Sequence, residues 1–228
     1  MANRPKVVLV HGFWGNASHW GKVILPLVRK GYDVSAVENP LTSLAEDAER
    51  TRKMVRSQDG PVVLVGHSYG GAVITEAGDL PNVAALVYIA AFAPDAGESL
   101  ATIAQMNPAP GGESLRPDGD GYLWIAKDRF REAFAQDVPE DETIVMAATQ
   151  KAPLAKVFGD AVTAAAWRKK PCFYQVSSQD RMISPVTERW LAERMQATTI
   201  SLDASHLSPA SQPDAVVALI EQAVQASG

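Results

Sequence analysis

An α/β fold is expected for this 228-residue chain: a mostly parallel six-stranded sheet, helices on both faces and an inserted, mainly helical cap. Three observations carry the expectation. Strand-like and helix-like segments alternate along most of the chain, the pattern of a parallel sheet covered on both sides. The run 83–92 is too continuously apolar for a half-exposed strand, so it needs burial on both faces. The run Val62-Val63-Leu64-Val65 leads straight into Gly66-His67-Ser68-Tyr69-Gly70-Gly71, a strand ending in Gly-x-Ser-x-Gly with small residues behind it that open a helix.

The elements follow in order. Residues 6–10 are apolar and β-branched and end at His11-Gly12. Residues 18–30 place Trp20, Val23, Ile24, Leu27 and Val28 at helical spacing, and Gly31 stops them. Residues 33–37 form a second strand, closed by Asn39-Pro40. Ser43-Leu44-Ala45-Glu46 is a capping box that starts a highly charged, surface helix to about Ser57. Strands at 61–65 and 83–92 follow, then two more at 171–178 and 198–202. Ser184-Pro185 caps a helix to Met195, with Pro in its first turn. A last helix runs from Pro213 to Ala226.

The interval between Phe92 and Pro171 breaks this rhythm and is far longer than a simple crossover. It opens with a loop rich in Pro and Gly and continues with amphipathic stretches at 128–136 and 140–150. Residues 95–170 therefore form the cap, and residues 1–94 and 171–228 the core. The cap should cover the carboxyl ends of the strands, where open α/β sheets bind ligands.

Composition excludes several function classes. The net charge of −5 leaves no basic footprint for nucleic acid. Arg168-Lys169-Lys170 is short and precedes a strand, as a solvated turn does. The single cysteine, Cys172, opens an apolar run and suits a buried structural thiol. No cationic stretch with an apolar segment and cleavage site lies near the start, and no apolar run has the length of a membrane span. The expectation is a cytoplasmic protein, monomer or homodimer, without membrane or nucleic-acid partners.

The chemistry begins at Ser68. In such an elbow the serine sits in a strained turn with its hydroxyl clear of the sheet, and side chains at Gly66 and Gly70 would collide across it. A serine needs a base. Of the four histidines, His11 belongs to a strand exit, His19 to a helix entrance, and His67 should point away from Ser68. His206 follows the last strand, at the same sheet edge as Ser68, and is the base by elimination and position. The base needs a carboxylate. Asp180, just past the strand at 171–178, is the first candidate; the rival is Asp95 or Glu98 after the preceding strand. Oxyanion donors should be the backbone N–H of Tyr69, first in its helix, and that of Phe13, in a loop where Gly12 lets the backbone approach.

With these residues in place, the chain resembles the α/β-hydrolase superfamily over nearly its whole length. The carrying residues are His11-Gly12-Phe13, the Gly66–Gly71 elbow, Gln179-Asp180 and His206. The short first strand and mid-chain cap are most similar to the compact branch of plant methyl-ester esterases and hydroxynitrile lyases, with related bacterial esterases. The resemblance implies a Ser68–Asp180–His206 triad, an oxyanion hole from the Phe13 and Tyr69 N–H groups, and no metal or organic cofactor. The lyases of that branch carry Thr at the position of Gly12 and Lys at that of Leu207, so both positions point to hydrolysis.

The expected function is a serine hydrolase that cleaves a small-molecule carboxylic ester through an acyl-enzyme. Lyase or perhydrolase chemistry on the same fold, or a slow-turnover ligand receptor, remain alternatives. Met106, Trp124, Phe130, Phe134 and Met146 are large apolar side chains of the cap that could line an apolar acyl or aromatic site. Each alone is expected to pack the cap on the core, and the set, with Phe13 and Trp14, to wall an apolar site.

Overall fold

In a computed structural model, residues 5–227 are described. Six strands form one sheet: β1 (Lys6–Val10), β2 (Val34–Val37), β3 (Val62–His67), β4 (Val83–Ile89), then β7 (Cys172–Ser177) and β8 (Thr198–Leu202). Their order is β2-β1-β3-β4-β7-β8, and every pairing is parallel. The expected α/β-hydrolase fold is thus the observed one. In the register, Val10 lies beside Gly66, His67 beside Ile89, and Ser177 beside Leu202. The carboxyl ends of the central strands therefore share one edge.

Alternating side chains divide the interior into two layers, as strand geometry requires. Val7, Leu9, Val63, Val65 and Val87 pack against α1 (Gly21–Arg29) and α9 (Pro213–Gln225), the latter preceded by the single turn α8 (Ser208–Ser211). Val8, Val10, Leu64, Leu86, Tyr88 and Val176 face the other side, toward α2 (Leu44–Arg56), α3 (Tyr69–Ala77) and α7 (Pro185–Arg194). The buried strands β3 and β7 carry no exposed residue, whereas the edge strand β8 is mostly exposed.

Boundaries shift for local reasons. The strand expected at 83–92 stops at Ile89, because Ala90 turns to a φ of 42°. The helix expected from Ser18 begins as a 3-10 turn, Ala17–Trp20, before α1. Ser43 caps α2 by accepting from the Glu46 N–H at 3.2 Å, but the Glu46 carboxylate accepts from the Thr42 hydroxyl, so the capping box is half formed. Ser184 precedes α7 without a side-chain cap bond.

Residues 95–170 hold α4 (Leu100–Ala104), a hairpin of β5 (Leu115–Pro117) and β6 (Leu123–Ile125), α5 (Phe130–Phe134) and α6 (Glu140–Thr149). The hairpin was not anticipated: its strands are three residues each, too short for a period-2 pattern. Asp118 organises its turn by accepting from the Asp120 and Tyr122 N–H groups and the Trp124 indole. The core continues into this segment through Ile103, Ile125, Phe130, Phe134 and Val157. The expected solvated turn at Arg168-Lys169-Lys170 is exposed at its first two residues and half-buried at Lys170, and all three are bonded: Arg168 pairs with Asp95, Lys169 with Asp79, and Lys170 donates to the Leu80 and Val83 carbonyls. Cys172 is buried, and burial pushes its thiol up to about 12. Among the described residues no helix is long and apolar enough to cross a membrane.

Candidate active site

Ser68 sits between β3 and α3 with φ 56° and ψ −123°. A residue with a side chain rarely holds that backbone, and the surroundings fix it here. The Ser68 N–H donates to the Ile89 carbonyl at 3.2 Å, and the Ser68 carbonyl accepts from the Phe92 and Gly71 N–H groups. A Cβ on Gly66 would lie 2.5 Å from the Gly70 carbonyl oxygen, so the turn closes only with glycine there.

His206 follows β8 on a loop, and its Nε2 lies 2.8 Å from the Ser68 Oγ. Its Nδ1 lies 2.5 Å from the Asp180 Oδ2. The carboxylate accepts from Nδ1–H, which leaves Nε2 to accept the serine proton. The other Asp180 oxygen, Oδ1, accepts from the Met182 and Ile183 N–H groups at 2.6 and 2.9 Å. All three side chains are buried: His206 is 0 % exposed, Ser68 and Asp180 4 % each. The rival carboxylates lie elsewhere, Asp95 paired with Arg168 and Glu98 with Arg194.

The loop after β1 presses on Ser68. A Cβ on Gly12 would stand 2.6 Å from the Ser68 Cβ and 3.1 Å from its Oγ. His11 shapes the loop by donating from Nδ1 to the Gly12 carbonyl and accepting the Asn39 N–H at Nε2. Among the described residues the Phe13 N–H meets no protein acceptor. The Tyr69 N–H opens α3, where a helix leaves its first donors unused. The Phe13 and Tyr69 rings stack with centroids 4.0 Å apart. The Tyr69 hydroxyl donates to the Asp47 Oδ2 at 2.6 Å, and the Leu41 N–H to Oδ1. Burial raises Asp47 to about 6, against those two bonds, and holds the Tyr69 phenol well above 10.

Two further groups went unread in the sequence. The His67 side chain points away from Ser68, as expected, but it also braces His206, because its Nε2–H donates to the His206 carbonyl at 2.8 Å. Burial and the neighbouring His206 hold His67 neutral, well below the usual imidazole range. From the segment 95–170, Asp137 accepts the Ser205 N–H, and Gln136 donates to the Gln179 carbonyl. His19 is half-buried, and burial lowers it to about 4.

Ser68 opens on a cavity of about 280 Å³ walled by Phe13, Trp14, Phe92, Leu115, Phe158 and Met182, among others, with no charged side chain. Of the apolar set named from the sequence, only Phe13 and Trp14 line it. Phe130 and Phe134 are buried in packing, with the Phe134 ring 5.1 Å from that of His206. Met146 faces a separate groove, and Met106 and Trp124 are 54 % and 38 % exposed. Among the described residues no cluster of three or more His, Cys, Asp or Glu is placed to hold a metal ion.

Residues 7–219 match the family model described as the alpha/beta hydrolase family. The alpha/beta hydrolase nvfD of Aspergillus novofumigatus is 28% identical over 243 residues, covering 96% of each chain. Methylesterase 7 of Arabidopsis thaliana is 38% identical over 111 residues, 41% of this chain and 42% of that one. A pyrethroid hydrolase from Sphingobium faniae JZ-2 shares the fold, with a TM-score of 0.85 at 20% identity over 97% of this chain and 98% of its own.

Proposed function

The chain belongs to the alpha/beta hydrolase family, and from that premise we propose that it hydrolyses small, uncharged carboxylic esters through an acyl-enzyme on Ser68. One observation carries the reading: the Ser68–His206–Asp180 relay, at 2.8 and 2.5 Å, lies buried at the floor of an apolar cavity that Ser68 itself lines. The esterase and hydrolase names of similar proteins support it.

In the first half-reaction His206 Nε2 takes the Ser68 proton as Oγ attacks the ester carbonyl. The Phe13 and Tyr69 N–H groups receive the oxyanion. The intermediate collapses, and His206 returns the proton to the departing alcohol. In the second half-reaction His206 deprotonates water, which attacks the acyl carbonyl, and the proton returns to Oγ as the acid leaves. Asp180 holds the imidazole in the tautomer both halves need and stabilises its cation. The cavity carries no charge to meet a substrate carboxylate or ammonium, so both ester groups should be uncharged.

Lyase chemistry fits poorly. A threonine at position 12 would drive its Cβ into Ser68, and the residue after His206 is the buried, apolar Leu207. The test is labelling with a fluorophosphonate, peptide mapping and an ester panel. Adduct on Ser68 alone, with multiple turnovers lost in Ser68→Ala, is expected. Adduct elsewhere, or stoichiometric release only, would overturn the reading.

A further inference from the structure

Beneath the relay lies a second carboxyl that the mechanism does not use. Glu188, in α7, has no exposed surface. Its Oε2 accepts from the Ser177 N–H at 2.9 Å, at the end of β7. Its Oε1 is buried and meets no donor. The Ser177 carbonyl accepts the Asp180 N–H at 3.2 Å, so the residue whose amide Glu188 holds also sets the Asp180 carboxyl beside it, and the Asp180 charge acts on Glu188. Two buried carboxyl groups in contact cannot both be ionised at neutral pH. Asp180 already accepts from three donors, His206 Nδ1–H and the Met182 and Ile183 amides. The proton between the pair therefore belongs to Glu188, where it turns a donorless oxygen into a donor.

We propose that Glu188 is a neutral carboxylic acid whose Oε1–H donates to the Asp180 carboxylate, which makes it a positioning residue for the acid of the relay. The inference rests on the ester-hydrolase reading above. The surroundings agree: burial and the Asp180 charge both push Glu188 well above the usual carboxylate range, and the exposed Arg189 and the Ser177 N–H oppose them more weakly. The other titratable group facing it, Tyr174, keeps its phenol proton and donates to the Ala91 carbonyl.

The test compares Glu188→Gln and Glu188→Leu with the wild type, and Asp180→Asn in parallel, in kcat and KM against pH and in infrared spectra. An amide at 188 keeps an acceptor for Ser177 and a donor for Asp180, so Glu188→Gln should stay within about threefold of wild-type kcat. The acid limb of its kcat/KM profile should not move, because no charge has been removed. Its spectrum should lack one protonated-carboxyl stretch present in the wild type. Glu188→Leu strands the Ser177 N–H without its acceptor and takes one donor from Asp180, and should lose about 10- to 100-fold in kcat at little cost in KM. An acid limb displaced downward by about one pH unit or more in Glu188→Gln, the signature of a lost negative charge, would overturn the proposal. So would an unchanged infrared band, or wild-type kcat in Glu188→Leu. If Glu188→Leu does not fold, the Glu188→Gln profile and spectrum decide alone. Full activity in Asp180→Asn would instead refute the reading of the site. Inactive Asp180→Asn with a displaced limb in Glu188→Gln would refute this inference only.

Discussion

Asp47 should make the protein less stable as pH rises through the weakly acidic range, and Asp47→Asn should remove that loss. The carboxyl is buried between α2 and α3, where the Tyr69 hydroxyl and the Leu41 N–H donate to it. Burial is the largest influence and raises its pKa from the ordinary 3.8 to about 6. Between those values the folded protein keeps a proton that the unfolded chain has released. Folding is then opposed progressively as pH climbs, until Asp47 ionises in both states above about pH 6. At about 1.4 kcal/mol per factor of ten, the gap amounts to about 3 kcal/mol in all, of which about 2 falls between pH 4 and 6. Urea unfolding followed by tryptophan fluorescence at pH 4, 5, 6 and 7 measures it. The wild-type stability minus that of Asp47→Asn should fall over this range by that amount, and level off near pH 7. A flat difference, or one that rises with pH, would refute the argument.

Four other outcomes are expected. Gly12→Ala places a methyl 2.6 Å from the Ser68 Cβ; kcat should fall about 100-fold or more, the scale of a lost oxyanion donor, with circular dichroism unchanged. His67→Phe strands the His206 carbonyl in a dry interior at a cost of about 1–3 kcal/mol; chemical denaturation should report it, and the pH–rate midpoints should stay in place because His67 is already neutral. Asp180→Asn should lose about 10⁴-fold in kcat, while Asp95→Asn, which weakens a pair with the exposed Arg168 and leaves an amide oxygen for the Ala96 N–H, should match the wild type in the same assay. Met182→Trp fills part of the 280 Å³ cavity; KM should rise for bulky esters and hold for acetates across a chain-length panel.

Some of the site was legible because it depends on chain order and strand ends. Ser68 and Asp180 each follow a strand whose apolar run is plain, His206 follows the shorter, more polar Thr198–Leu202, and a parallel sheet delivers those ends to one edge. The cavity wall was not legible. Phe158 lies in a 3-10 turn, Leu115 in a three-residue strand and Met182 in a loop, where no periodicity tells inside from outside. Phe130 and Phe134, spaced one helical turn apart, do face inward, but onto Trp14, His206 and each other rather than the cavity. Two buried carboxyls left a readable trace. Asp47 falls in phase with Leu44, Ala48, Thr51 and Val55 on the buried stripe of α2, and Glu188 with Leu191 and Ala192 on that of α7. A carboxyl in phase with an apolar stripe marks a group that folding has desolvated and must satisfy.

The same contacts bear on how far substrate choice and chemistry are separable in this molecule. If residues 95–170 only roofed the cavity, they would touch the relay through apolar walls alone. Instead the stretch after α5 reaches both loops: Gln136 donates to the Gln179 carbonyl beside Asp180, and Asp137 accepts the Ser205 N–H beside His206. The Trp14 N–H and indole donate to the Lys151 and Leu123 carbonyls, so the loop bearing Gly12 and Phe13 is tied to the segment as well. Changes that reshape the roof near Gln136, Asp137 or Lys151 therefore shift the distances among Ser68, His206 and Asp180. Changes at Phe158, which meets Phe13 and Trp14 only by ring packing, alter the wall and leave those hydrogen bonds in place. Selectivity is thus adjustable from one side of the cavity and coupled to rate from the other.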